Sequence, residues 1–178
     1  MAVTLLIAAC GRGERAPPYT FSPAQVQILK ESGSRSVRLG TFSPAAQAGE
    51  MTDIRLRAVL VSSPYGDYPA YLKEALRQDL EEAGRLAPNA ATEISGVMTR
   101  NEMNTGVAVA GEGEIAARIT VRRGDTTLYD KPIAAKTTWD SSFAGAVAIP
   151  NGIAQYPRLV SEFIATLLSD RDFLTAIK

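Results

Sequence analysis

Apolar and polar positions along the chain alternate with two different periods. Residues 36–42 read as a short strand. Over 54–61, Ile54, Leu56, Ala58 and Leu60 alternate with Arg55, Arg57, Val59 and Val61, which predicts a single strand of period two. Ser62, Ser63, Pro64, Tyr65 and Gly66 are turn residues by composition. Asp67 is placed to cap a helix, with Pro69 in its first turn. Tyr68, Leu72, Ala75, Leu76, Leu80 and Ala83 share one face of that helix, and Gly84 ends it. Strand character returns at 92–100, followed by a glycine-containing loop over 101–113. The clearest alternation spans 114–122, with Ile115, Ala117, Ile119 and Val121 on one side. Gly124 and Asp125 then turn the chain into a strand at 127–139. A three-residue loop would set Val121 opposite Tyr129 and Ala117 opposite Ile133. Pro132 cannot donate to a ladder, so this strand is an edge or carries a bulge. Pro157 forbids one unbroken helix over 146–168 and predicts a short piece followed by a longer helix. Val160, Phe163, Ile164, Leu167 and Leu168 form the longer helix's apolar face. Asp170 caps a last turn with Phe173, Leu174 and Ile177. The element order predicts an α/β (α+β) single domain: a mostly antiparallel sheet of about five strands with two main helices packed on one face.

Composition narrows the chemistry. The 178 residues are 46% hydrophobic and 21% charged, the balance of one globular domain. Lys+Arg and Asp+Glu are 19 each, so no global charge recommends a nucleic-acid partner. The absence of His removes Ser-His-Asp and Cys-His arrangements and every His-ligated metal site. A single Cys leaves no internal disulfide and no Cys-rich zinc site. The sequence argues against an enzyme, offers no catalytic residue and calls for no cofactor or metal.

The N-terminus is the most informative segment. Residues 1–10, MAVTLLIAAC, are apolar, end in small residues and precede a polar, proline-containing run. They are too few to span a bilayer, which takes about 20 apolar residues. The segment is similar to the end of a signal peptide, and Ile7-Ala8-Ala9-Cys10 resembles the lipobox of bacterial lipoproteins. That resemblance implies acylation of Cys10 and cleavage before it. No Lys or Arg lies between Met1 and Cys10, so the expectation is either a natural start upstream of Met1 or a segment that is not a working signal. The plainer alternative is an N-terminal strand or buried tail with a free thiol. Residues 11–34 read as a tether with a short helical turn at 24–30. The predicted organisation is a signal peptide remnant at 1–9, a lipidated N-terminus and tether at 10–34, and a globular domain at 35–178.

Several clusters invite a functional reading. Trp139, Ser141, Ser142 and Phe143 could grip a partner, as could Tyr65; against this, Trp139 shares strand parity with Tyr129 and Ile133 and so points into the core. The turn at 63–68 precedes a helix N-terminus and could hold an anion, although Asp67 competes for the same donors. Gly106, Gly111 and Gly113 lack the spacing of a dinucleotide fingerprint. Asp79, Glu81 and Glu82 read as a solvated helix face, and Arg118, Arg122 and Arg123 as a solvated strand face.

A resemblance runs through the folded part. Residues 63–66 (SPYG), 71–76 (YLKEAL), 94–96 (ISG), 129–131 (YDK), 139–143 (WDSSF), 145–150 (GAVAIP) and 156–157 (YP) occur in the order seen in a group of uncharacterised bacterial lipoproteins. The block 139–150 is the most specific. The element order is similar to YajG-type envelope lipoproteins and to the folds of the penicillin-binding-protein activator and the curli-secretion lipoprotein. The resemblance implies an envelope lipoprotein without known catalysis. Gly11 after Cys10 resembles outer-membrane sorting in Gram-negative cells. The expected role is therefore a binding or assembly module on the periplasmic face of the outer membrane. It would be anchored to the lipid bilayer through acylated Cys10 and would meet an envelope protein partner. The alternative is a periplasmic carrier of an apolar ligand such as a lipid. An enclosed apolar pocket would favour the carrier, and a solid core with an exposed edge strand the assembly module.

Overall fold

A computed structural model describes residues 13–49, 51–106 and 110–178. Cys10 and the segment before it lie outside the described residues. The chain runs β1 (Glu14–Arg15), α1 (Pro23–Glu31), β2 (Val37–Pro44), β3 (Asp53–Leu56), β4 (Val59–Ser62), α2 (Tyr68–Glu82), β5 (Thr92–Asn104), β6 (Ala110–Arg123), β7 (Thr126–Asp140), α3 (Gly145–Ala154), α4 (Tyr156–Ser169) and α5 (Arg171–Ala176). The strands form two sheets, not the single one expected. The larger has the order β2-β5-β6-β7 and the smaller β1-β4-β3. Both are mixed: β2 runs parallel to β5 and β1 parallel to β4, while the other pairs are antiparallel.

The larger sheet follows the sequence closely. Ile94, Ile115, Ile119 and Val121 are fully buried, and Leu159, Val160, Phe163, Ile164 and Leu167 of α4 meet that face together with α2 and α5. Its other face is solvated, so β5, β6 and β7 alternate between buried and open positions over most of their length. Cross-strand ion pairs line that outer face: Arg38 with Glu93, Arg100 and Lys136 with Glu114, and Arg118 with Asp130. Val121 lies opposite Tyr129 and Ala117 opposite Ile133. The predicted three-residue loop is replaced by a tighter turn. Arg123 pairs with Thr126 around Gly124 and Asp125, and a bulge restores the register between Arg122 and Val121. β7 is an edge strand among the described strands, one of the two outcomes that Pro132 allows.

Three other expectations give way. Residues 54–61 are two strands, not one: β3 and β4 are joined at Arg57 and Ala58, and Arg57 takes φ 55. Such turns usually advertise themselves with Gly, Asn or Asp, and here none is present. The loop expected at 101–113 is mostly strand. β5 continues to Asn104, and β6 begins at Ala110 and includes both Gly111 and Gly113. Those glycines answer a packing need: a Cβ on Gly111 would sit 2.3 Å from Trp139 Cε2, and one on Gly113 would sit 2.7 Å from Met103 Sδ.

The third change concerns the N-terminal segment, which is not a tether from residue 13 onward. Ala16, Tyr19, Gln25, Val26 and Leu29 are buried in the domain. The fastening is polar, and period alone does not reveal it. Asp79 of α2, expected on a solvated face, is 0% exposed. It accepts hydrogen bonds from the Tyr19 hydroxyl at 3.0 Å and the Ser22 N–H at 2.9 Å. Gln25 in turn donates to the Ser161 carbonyl and hydroxyl at 2.7 and 2.9 Å. Burial pushes the Asp79 carboxyl up to about 6, and the bonds from Ser22 and Tyr19 only partly oppose that.

Candidate functional site

The segment that follows β7 is the longest uncharged run in the chain. Residues 141–157 contain no Asp, Glu, Lys or Arg. The helix they form, α3, buries only Ala148 and Gly152. Gly152 is the contact residue. A Cβ there would lie 2.8 Å from Thr105 Cγ2, 3.4 Å from Leu56 and 3.7 Å from Trp139, so glycine lets the helix lie flat on the domain. Phe143 remains 79% exposed and Val147 58% exposed. With Pro150 and Ala154, also exposed, they are spaced i, i+4, i+7 and i+11, one stripe along α3 and the loop entering it. This exposed apolar stripe is the candidate contact surface of the domain.

Arg57 holds the N-terminal end of the stripe. Its guanidinium donates to the Phe143 carbonyl at 2.9 Å, the Ser142 carbonyl at 2.8 Å, the Gly106 carbonyl at 3.0 Å and Thr105 Oγ1 at 3.1 Å. The planar fork bridges two separate chain segments at once, which an ammonium would not do as well. Ser141 donates to the Thr105 carbonyl, and Ser142 Oγ accepts from the Ala144 N–H at 3.2 Å. Asn151 donates to the Asp140 carbonyl at 2.7 Å. The loop is thus fixed by its polar groups while Phe143 is left outside.

The other end of the stripe borders the start of the described chain. Glu14 and Pro17 face Ile149, Pro150, Ile153 and Ala154 across a shallow hollow of about 200 Å³. Beneath α3, between it and the smaller sheet, the gap among Ala16, Ile54, Leu56, Val61, Tyr68, Met103 and Tyr156 is about 10 Å³. That is room for one water at most. The larger hollows, of about 450 and 460 Å³, are open and carry ionised rims, Arg123, Asp130, Lys131 and Asp172 in one and Arg100, Glu102, Glu112 and Glu114 in the other.

The five residues singled out as partner contacts separate into different environments. Phe143 is exposed. Trp139 is 8% exposed and lies in the core against Gly111. Ser141 and Ser142 act as loop fasteners. Tyr65 is half-buried and belongs to another cluster, with its ring 5.3 Å from Tyr71, which packs edge-on to Tyr156 at 4.9 Å. Sequence reasoning missed Arg57 and Val147. The unbroken uncharged run over 141–157 is the signal that would have found Val147. At the 63–68 turn, Asp67 Oδ1 accepts the Ala70 N–H at 2.7 Å and so occupies the donor an anion would use. Among the described residues no three Asp, Glu, His or Cys gather as a metal site needs, and no helix is long and apolar enough to cross a membrane.

Comparison with known proteins adds a fold. No family model matches the chain, and no curated protein matches it. Among solved structures it is similar to protein XCC0632 from Xanthomonas campestris, of family DUF330. The TM-score is 0.59 at 12% identity, covering 86% of this chain and 91% of that one. A lipoprotein candidate from Caulobacter crescentus CB15 matches at TM-score 0.44 and 16% identity, covering 85% and 93%. The hypothetical protein CT253 from Chlamydia trachomatis matches at 0.43 and 12%, covering 80% and 99%. The Xanthomonas likeness is one of architecture across nearly the whole domain.

Proposed function

We propose that the protein is a non-enzymatic binding or assembly module of the bacterial envelope, of the uncharacterised YajG-like kind, anchored by acylated Cys10 on the periplasmic face of the outer membrane. One observation favours a surface module over a carrier: the core is closed, with its inner gap near 10 Å³, while a stripe of Phe143, Val147, Pro150 and Ala154 stands outside it. A carrier of an acyl chain needs an apolar cavity of several hundred Å³. The larger hollows have charged rims and open to water. A second feature gives the module a place for a protein partner. β7 pairs with β6 alone among the described strands, which leaves its other edge for a partner. Pro132 has no N–H to donate, so residues 133–140 beyond it are the usable part.

The test has two arms. Radiolabelled palmitate should enter the wild type in cells, expressed with its natural upstream sequence, and not Cys10→Ala. Pull-down of the acylated protein from envelope membranes, with a photo-cross-linker at Ala134 or Thr138, should trap a discrete protein. Equal palmitate labelling of both forms ends the anchoring reading. Absence of any cross-linked protein from both positions ends the edge-strand reading.

A further inference from the structure

The geometry points to α3 as the surface on which the domain lies against the lipid bilayer, with Phe143 and Val147 entering the headgroup–acyl boundary. This inference rests on the anchoring reading for its setting and on three observations for its content. The first is the stripe itself. An exposed Phe on a fixed loop, followed by Val147, Pro150 and Ala154 along one side of a ten-residue helix, has no charged residue anywhere in 141–157. The segment itself carries no charge into the boundary, and the nearest ions, Arg57 at one end and Glu14 at the other, flank the stripe at headgroup depth.

Chain geometry is the second observation. Cys10 is only three residues before Gly13, so an acyl group on it is within about 11 Å of the domain along the chain. The first described residues run through β1, and Glu14 and Pro17 line the hollow against Ile149, Pro150, Ile153 and Ala154. A domain held this closely cannot tumble freely above the surface. It meets the membrane with the side that surrounds Gly13, which includes the C-terminal half of α3, and the stripe runs from there through Val147 to Phe143.

Rigidity is the third. Arg57 and Ser141 hold the loop that bears Phe143 by bonds to its carbonyls and to Thr105 and Gly106. The apolar residue is therefore presented already ordered, and little side-chain and loop freedom is lost on insertion. The arrangement leaves the far end of the domain, with the Gly124–Asp125 turn, to the periplasm.

Cys10 is the sole cysteine, which makes a direct test available. The full chain can be coupled through its thiol to a maleimide-headgroup lipid in phosphatidylethanolamine–phosphatidylglycerol vesicles, with no dependence on acylation in cells. Three variants report on position: Phe143→Trp, Val147→Trp and, beside the distant turn, Leu128→Trp. Wild type, with Trp139 alone, supplies the background. The new indoles of Phe143→Trp and Val147→Trp should shift their emission to the blue, be quenched by bromines on the acyl chains and lose most of their quenching by acrylamide. The indole of Leu128→Trp should show none of these changes. Equal acrylamide quenching with and without vesicles in both Phe143→Trp and Val147→Trp overturns the inference and leaves the stripe to a protein. A concentration-dependent dimer of the uncoupled protein that Phe143→Asp dissolves also overturns it, in favour of a second copy. Palmitate labelling in cells separates the two readings. Membrane entry of coupled Phe143→Trp with no labelling in cells sinks the anchor and keeps the surface; labelling without entry does the reverse.

Discussion

Two residues carry the largest departures from a simple amphipathic chain. Asp79 has a folded-state pKa of about 6 against an ordinary 3.8, because burial penalises its charge. The folded protein therefore holds that proton more tightly than the unfolded chain does. Stability from this group is fully present below about pH 4 and is lost as pH rises through 6, a change on the order of 3 kcal/mol. Urea unfolding across pH 4–7 should show this slope in the wild type. Asp79→Asn should flatten it and be the more stable form at pH 7, since the amide keeps an acceptor for Ser22 and does not ionise. A slope unchanged by the substitution would assign it to another group. Trp139 is the second. It is buried at the end of β7 with Gly111 beneath its ring, so Trp139→Ala should cost roughly 3–5 kcal/mol. Gly111→Ala, which drives a methyl into the same ring, should cost roughly 1–3 kcal/mol, and the two effects should not add. If Trp139→Ala leaves stability unchanged while partner capture is lost, the ring is a contact and not core.

At the scale of elements, the β3–β4 hairpin and α3 depend on one side chain. Arg57 has a positive φ that a non-glycine residue adopts at a cost of roughly 1–2 kcal/mol, and its guanidinium bonds offset that cost. Replacing it separates the two terms. Arg57→Ala should lose about 2–3 kcal/mol, because the strain stays and the charge-assisted bonds go. Arg57→Gly should lose about 1 kcal/mol less, because glycine accepts the conformation. Hydrogen exchange at residues 142–147 should quicken in both variants by a similar factor. Equal stability of the two would mean that the backbone there carries no strain. By contrast Phe143→Asp and Val147→Asp, on the exposed stripe, should change stability by no more than about 0.5 kcal/mol, which makes them clean probes of contact.

For the molecule as a whole, the domain includes residues 13–34 and does not start near residue 35. β1 completes the smaller sheet, and Ala16, Tyr19, Val26 and Leu29 fill its junction with α2 and α4. A chain starting at residue 35 should therefore lack a cooperative thermal transition or melt far below the full chain, and should bind a hydrophobic dye. It would expose that core and leave Asp79 without the donors of Tyr19 and Ser22. A fragment that melts as the full chain does would restore the tether. What the sequence determined by itself is local. Alternation at 114–122 and 127–139 named two strands and their facing residues, because a sheet with one wet face imposes period two. Asp67, Gly84, Pro157 and Asp170 marked helix ends, because each acts through its own backbone. Phe143 was singled out as a contact, and it is exposed; Trp139, Ser141, Ser142 and Tyr65 have other places. Only the tertiary structure decided the second sheet, the burial of Asp79, the clamp made by Arg57 and the exposure of the stripe on α3. These depend on residues far apart in the chain: Tyr19 with Asp79, Arg57 with Ser142 and Phe143, Gly152 with Thr105. Period and composition report how one residue stands to its neighbours in sequence. A polar partner 60 residues away leaves no mark in either.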